Sequence, residues 1–463
     1  MKKLVSLALC LLMALSLFAC TSQPAAGGRP DAAGAVPPDA SQPDAAQSQP
    51  GGETEPDADK PYAGVTLRVI LATHDWTSAI EPKLAEFEEA TGMKVEFEVY
   101  PENQLSDKLN VELGSGGQYI DAFMCRPLQE VQQFIQNGYL AEVGDLLAQP
   151  DFQKDDIIAA ALNGYAYNGA DDGKFYGVPL VTERQVLFYR KDLFQKAGIA
   201  VPTNLDELME AAQRLNGIEP GVVGFTGRGK ANPAVTQFST YLYAFGGDFI
   251  DFSTNTATIN TPEAVQAFAY YGKLLRECGP ASSTNMHWNE CAALYSTGGA
   301  AMCTDADAIW QSFCGPETEV YENAGFAVSP TNATWSICSW GLGISANSPN
   351  REAAMEFVKW AAGVEMTKYT QTAGISSARN SAWADPDCTA NYPEELLAAI
   401  QKGNEIATKA YDRPMTTSVA QARDIIGTVI TTAIEGGDVQ AAADRANAEF
   451  QAILDADLAA RNG

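Results

Sequence analysis

A largely apolar run, Val65-Thr66-Leu67-Arg68-Val69-Ile70-Leu71-Ala72, precedes a segment with Ile80, Leu84 and Phe87 at helical spacing, and alternating Val95, Phe97 and Val99 follow. The first run suits a strand buried on both faces. The second is an amphipathic helix closed by Gly92, and the third is another strand. Strands joined through a helix run parallel, and a parallel sheet needs helices over it, so the class is α/β. Open α/β sheets bind ligands beyond the carboxyl ends of their strands. His74, Asp75 and Trp76 stand at such an end, as does Arg126 after the run Tyr119 to Met124. They are candidate site residues, although capping accounts equally well for the first group, core packing for any tryptophan, and a surface ion pair for Arg126.

The N-terminus sets the compartment. Lys2 and Lys3 precede an apolar run from Leu4 to Ala19, the pattern of a secretory signal and too short to span a membrane stably. Leu17-Phe18-Ala19-Cys20 has the form of a bacterial lipobox, so residues 1–19 are expected to be cleaved and Cys20 to carry lipid. Residues 20–60 are Pro, Ala, Gly, Gln, Ser and Asp with almost no large apolar side chain, which makes them a disordered tether spanning roughly 35 Å. Cleavage changes the formal charge from −28 to −30, since the signal holds two lysines and no acid. So acidic a chain repels nucleic acid and anionic lipid, and neither is an expected partner. Nine cysteines less Cys10 and Cys20 leave seven, an odd number, in the folded part. With no C-x-x-C pair they are expected to be mostly small core residues.

The segment Gly173 to Leu215 carries an apolar strand, Val186 to Tyr189, then a helix ending at Gly198 and a second helix capped by Thr203 or Asn204. Glu183-Arg184-Gln185 is wedged before that strand, either as a solvated turn or as the floor of a site. Phe175-Tyr176-Gly177-Val178-Pro179-Leu180, Glu183 and the run from Leu187 to Ile199 resemble the crossover of extracellular solute-binding proteins of bacterial ABC importers, of the carbohydrate and sugar-alcohol type. Gly299-Ala300-Ala301-Met302-Cys303-Thr304-Asp305 and Glu352-Ala353-Ala354-Met355-Glu356-Phe357-Val358 resemble two further motifs of that family. The resemblance covers nearly all of residues 62 to 458. It implies a two-lobed periplasmic-binding-protein-like clamp of type II, each lobe a mainly parallel sheet flanked by helices, with three crossings. Lobe 1 is expected from 61–181 plus 304–338, and lobe 2 from 182–303 plus 339–463. The resemblance also implies ligand contacts by Glu183 and Asp305 at the crossings. Arg228 is implied as a hydroxyl donor, and the role of Arg379 stays open because Ser377 stands where relatives carry proline.

Catalysis finds little support. Two histidines, His74 and His287, cannot make a three-histidine zinc site, and neither G-x-S-x-G nor H-E-x-x-H occurs. Gly224 to Lys230 fits a phosphate loop, but Ala231 offers no hydroxyl to magnesium. The expectation is a non-enzyme without cofactor or metal, a monomer that captures a carbohydrate by hinge closure and delivers it to membrane permease subunits. Seven Trp and seventeen Tyr supply faces for sugar C–H groups, with Trp340 near the third crossing. Glu183, Asp305, Trp340, Arg228, Asp75, Trp76 and Arg126 form the expected ligand set. A polyamine, or a glycosidase using two carboxylates, is the alternative.

Overall fold

The computed structural model describes residues 60–462 apart from 117 and 168–172; the signal, Cys20 and nearly all of the tether lie outside the described residues. The strands are β1 (Thr66–Ala72), β2 (Lys94–Tyr100), β3 (Ala122–Cys125), β4 (Val178–Arg190), a short hairpin β5 (Ile250–Asp251) and β6 (Thr256–Ala257), then β7 (Met302–Ala306), β8 (Ala324–Val328) and β9 (Ser336–Ile344). β1 pairs in parallel with β2 and β3, as the opening β-α-β run requires. β9 joins β3 antiparallel, and β4 joins β9 antiparallel. The far half of β4 pairs antiparallel with both β7 and β8. The sheets are therefore mixed where mainly parallel ones were expected, because a strand arriving from the other lobe enters against its neighbour's direction.

β4 organises the molecule. Its 13 residues lie first against β9 and then between β7 and β8, so a single strand serves both lobes. Alternation sorts its side chains: Val186 and Phe188 enter a cluster with Phe313 and Trp310, while Leu187 enters one with Phe238 and Phe268 on the opposite face. The polar triplet is strand rather than turn. Arg184 is buried, its amide N–H donating to Asp307 Oδ1 at 2.5 Å and its Nη2 to Oδ2 at 2.9 Å. Gln185 is equally buried, its Oε1 accepting from Thr240 and Ser329 at 2.7 and 2.8 Å.

Met302 and Ala306 of β7, with Trp335 and Ile337, pack in the cluster of Leu187 and Phe238. Ala353, Phe357, Val358 and Met366 instead fill the first-lobe core beside Leu67, Ile70 and Phe123. Burying Phe357 and Val358 contributes about 1.5–3 kcal/mol each, which fixes the helix Arg351–Ala362 to that lobe. Met302 to Asp305 had been expected to recross to lobe 1; as β7 it pairs with the far half of β4, whereas β9 pairs with both β4 and β3. Arg379 has a packing role, donating to the carbonyls of Phe152, Ala362 and Gln153 at 3.0, 3.0 and 3.1 Å. All seven cysteines of the described part are buried and unpaired.

Candidate functional site

The site is built where β4 and β9 pass between the lobes. Trp340 of β9 lies opposite Val181 of β4, and the next residue has to be glycine. A Cβ on Gly341 would meet Tyr165 Oη at 2.1 Å and the Val178 carbonyl at 2.4 Å. Tyr165 Oη donates to the Cys125 carbonyl at 3.0 Å, which ties the end of β3, and so Arg126, to the same place. The Arg126 guanidinium lies 5.1 Å from the centre of the Trp340 ring, a cation–π contact, and His74 meets that ring edge-on at 5.9 Å. Arg126 also pairs with Glu102 and Glu130 and donates from Nη2 to Ser106 Oγ at 2.6 Å.

The second lobe supplies the facing wall. Arg228 binds Asp305 side-on, Nε to Oδ2 at 3.0 Å and Nη2 to Oδ1 at 2.5 Å. Gln237 Nε2 and the Ala306 amide N–H each donate to Asp305 Oδ1 at 2.8 Å. Arg413 is paired side-on with Asp412 at 2.5 and 2.6 Å. Arg423, in the helix Val419–Ile434, donates to the Asn232 carbonyl and to Thr236 Oγ1, both at 3.2 Å.

These groups feel one another across the cleft. Burial opposes the charge on Glu102, yet Arg126, His287, Arg423 and Arg228 outweigh it and hold the carboxyl at about 2. Burial raises Glu183 to about 7, against the downward pull of a Ser339 hydrogen bond and of Arg228. Burial lowers Arg423 to about 9, helped by Arg413 and resisted by Asp412 and Glu102. His287 is lowered to about 4, by burial first and then by Arg228. Four guanidiniums, on Arg126, Arg228, Arg413 and Arg423, thus stand among four carboxylates, on Glu102, Glu130, Asp305 and Asp412.

Residues 73–368, more than half of the chain, match the family model described as bacterial extracellular solute-binding protein. The chain belongs to that family. This solute-binding protein is 28% identical over 326 residues to a mannitol-binding protein of Pseudomonas aeruginosa, covering 68% of this chain and 70% of the relative. It is 25% identical over 346 residues to an erythritol/L-threitol-binding protein of Mycolicibacterium smegmatis, covering 70% of each. Among solved structures it resembles an ABC transporter solute-binding protein of Agrobacterium radiobacter in complex with ribitol, with a TM-score of 0.76 at 27% identity, covering 85% of this chain and 99% of the other.

Of the seven expected residues, the structure brings Glu183, Arg228, Asp305, Trp340 and Arg126 near one another where β4 and β9 meet. Trp76 is 1% exposed and part of the first-lobe core, because its position in the helix Asp75–Ile80 turns it inward. Asp75 is exposed and lines a separate groove of about 310 Å³ with Gln311 and Gly374. His74 acts as that helix's cap, its Nδ1 accepting from the Trp76 amide N–H at 3.0 Å. Asp305 is 0% exposed, and its oxygens accept from Arg228, Gln237 and the Ala306 amide, which holds the Arg228 guanidinium in place. Side-on pairing leaves the Nη1 edge of Arg228 turned away from that carboxylate. A further groove of about 830 Å³, lined by Trp310, Tyr392 and Glu395, shares no residue with the cleft cluster.

Sequence reasoning missed Glu102, Asp412, Arg413 and Arg423. Glu102 had a usable signal, since it stands just past β2 under the same strand-end rule that picked Arg126. Asp412 and Arg413 form an adjacent charged pair ahead of a proline and an apolar helix, a pattern that marks a loop without saying which way it faces.

Proposed function

We propose that this chain is the lipid-anchored receptor of an ABC importer, that it captures a neutral carbohydrate, a sugar alcohol in first place, and that it delivers it as a monomer to membrane permease subunits. The observation that carries the choice of ligand is the charge balance of the cleft. Four guanidiniums are already set against four carboxylates, and Glu183, held near 7, adds at most a part of a charge. A polyamine requires unmatched acids, and this cleft has none to spare. Neutral hydroxyls suit it: the Glu183 carboxyl accepts or donates according to its proton, and the Nη1 edge of Arg228 donates. The named solutes of the relatives, mannitol, erythritol, L-threitol and ribitol, belong to the same neutral class. Trp340 would pack against a C–H face beside Arg126.

A glycosidase mechanism needs two carboxylates open to substrate, and the enclosed Asp305 is unsuited to that role. Family membership likewise fits a non-enzymatic receptor. Anchoring rests on the lipobox at Cys20 and the tether after it. Among the described residues no helix is long and apolar enough to cross a membrane.

A thermal-shift series tests the ligand class. At a hundred times its dissociation constant a bound solute adds about 2.7 kcal/mol of stability, a rise of several degrees in melting temperature. Ribitol, mannitol or erythritol should produce it, and putrescine and spermidine should not. A shift with a polyamine and none with any polyol or sugar would overturn the assignment.

A further inference from the structure

The loop that leads into the helix Trp288–Ser296 is fastened to the loop that carries Arg228. The Met286 carbonyl accepts from the amide N–H groups of Gly229 and Lys230, both at 3.0 Å. Gly229 has to be glycine, because a Cβ there would meet the Ser283 carbonyl at 2.2 Å. The residues that imitate a phosphate loop in the sequence thus seat His287 beside Arg228.

His287 is held on both sides. Its Nδ1 accepts from the Trp288 amide N–H at 2.6 Å, and its own amide N–H donates to Glu290 Oε2 at 2.9 Å, which caps the helix. The half-buried indole of Trp288 packs on the cluster of Val186 and Phe188, and its plane lies at 74° to the imidazole. An Nδ1 that accepts leaves the proton of the neutral ring on Nε2. Burial and then Arg228 lower this ring to about 4, with Glu102 of the first lobe opposing and Arg423 assisting, so the ring is neutral at pH 7 and stands among the cleft charges. Among the described residues Nε2 has no hydrogen-bond partner. A half-buried donor without a protein acceptor is left for something else to satisfy.

We infer that His287 is a solute ligand of the second lobe, its Nε2–H donating to a hydroxyl of the bound polyol next to Arg228. The inference rests on the proposed function for the kind of acceptor. A neutral donor suits such a solute, because it meets a hydroxyl oxygen and adds no charge to guanidiniums and carboxylates that already balance.

Two substitutions separate the donor from the cap. Gln sets an amide N–H near the reach of Nε2 but caps a helix poorly, whereas Asn caps well and ends short of Nε2. In calorimetric titration with ribitol, His287→Asn should bind roughly five- to tenfold more weakly, the loss of one neutral hydrogen bond, and His287→Gln should stay within about threefold of the wild type. Melting curves without ligand should rank the other way, Asn near the wild type and Gln below it. Affinity kept by Asn and lost by Gln would reduce His287 to a cap and overturn the inference, as would equal affinity in all three proteins. Nitrogen NMR of the imidazole rings locates the proton, and with two histidines in the chain one variant assigns both. The His287 proton should sit on Nε2, and ribitol should move that resonance. A proton on Nδ1, or an Nε2 resonance that bound ribitol leaves in place, would overturn the inference. If ribitol does not bind the wild type, the polyol assignment fails, and the site of the proton alone decides whether His287 offers a donor: Nε2 upholds it and Nδ1 ends it.

Discussion

Glu183 is a carboxyl held near 7 in the middle of a strand, and its titration has a definite sign. The folded state keeps a proton that the unfolded chain gives up near 4.5, so above that pH folding must either retain the proton or ionise a half-buried group. Its contribution therefore favours folding least above pH 7, and stability falls as pH rises from about 4.5 to 7. His287, lowered to about 4, acts in the opposite direction between 4 and its ordinary value of 6.5. The stability difference between wild type and Glu183→Gln isolates the first effect. Measured by urea unfolding, Gln should gain on the wild type by about 1–2 kcal/mol between pH 5 and pH 8, and a flat difference would place the carboxyl in solvent. That Glu183 stands on the strand passing between β9 and β7 was legible through the resemblance, although the groups that set its proton affinity, Ser339, Arg228, Asp307 and Asp412, are far off in the chain. The enclosure of Asp305 was not, since Arg228 and Gln237 come from 77 and 68 residues away.

At the scale of elements, β1 and β2 follow from periodicity alone, because each pattern is complete within a few residues, whereas the helical run between them is broken by a 3-10 turn, Glu81–Lys83, into Asp75–Ile80 and Leu84–Thr91. The order of the crossings does not. β7 and β9 both end small-residue stretches at polar positions, and only their partners, the far half of β4 for one and β3 for the other, tell them apart. The local packing where β4 meets β9 yields a sharp test. Gly341→Ala sets a methyl against Tyr165 Oη and the Val178 carbonyl, so the strands or the tyrosine must move. Such overpacking costs about 1–3 kcal/mol, visible as a lower urea midpoint. Solute binding should weaken as well, because Trp340 is the adjacent residue. Unchanged stability would mean that the two strands are not held this closely.

For the whole molecule, the proposed anchor is tested by fractionation: Cys20→Ser should move the protein from the membrane to the soluble fraction, and retention at the membrane would count against lipidation at Cys20. The packing of the first lobe carries one more implication. Its sheet is completed by β9, which enters between β3 and β4, and its core by residues 353–378. A ribosome delivers residues 66–190 long before either. During that interval β3 and β4 lack the neighbour that joins them, and unpaired edges of this kind invite pairing with other chains. The first lobe is thus the first to be made and cannot be the first to finish. Nascent chains cut before residue 336 should remain sticky and protease-sensitive throughout, and the polypeptide would have to be kept from collapsing until its last third has emerged.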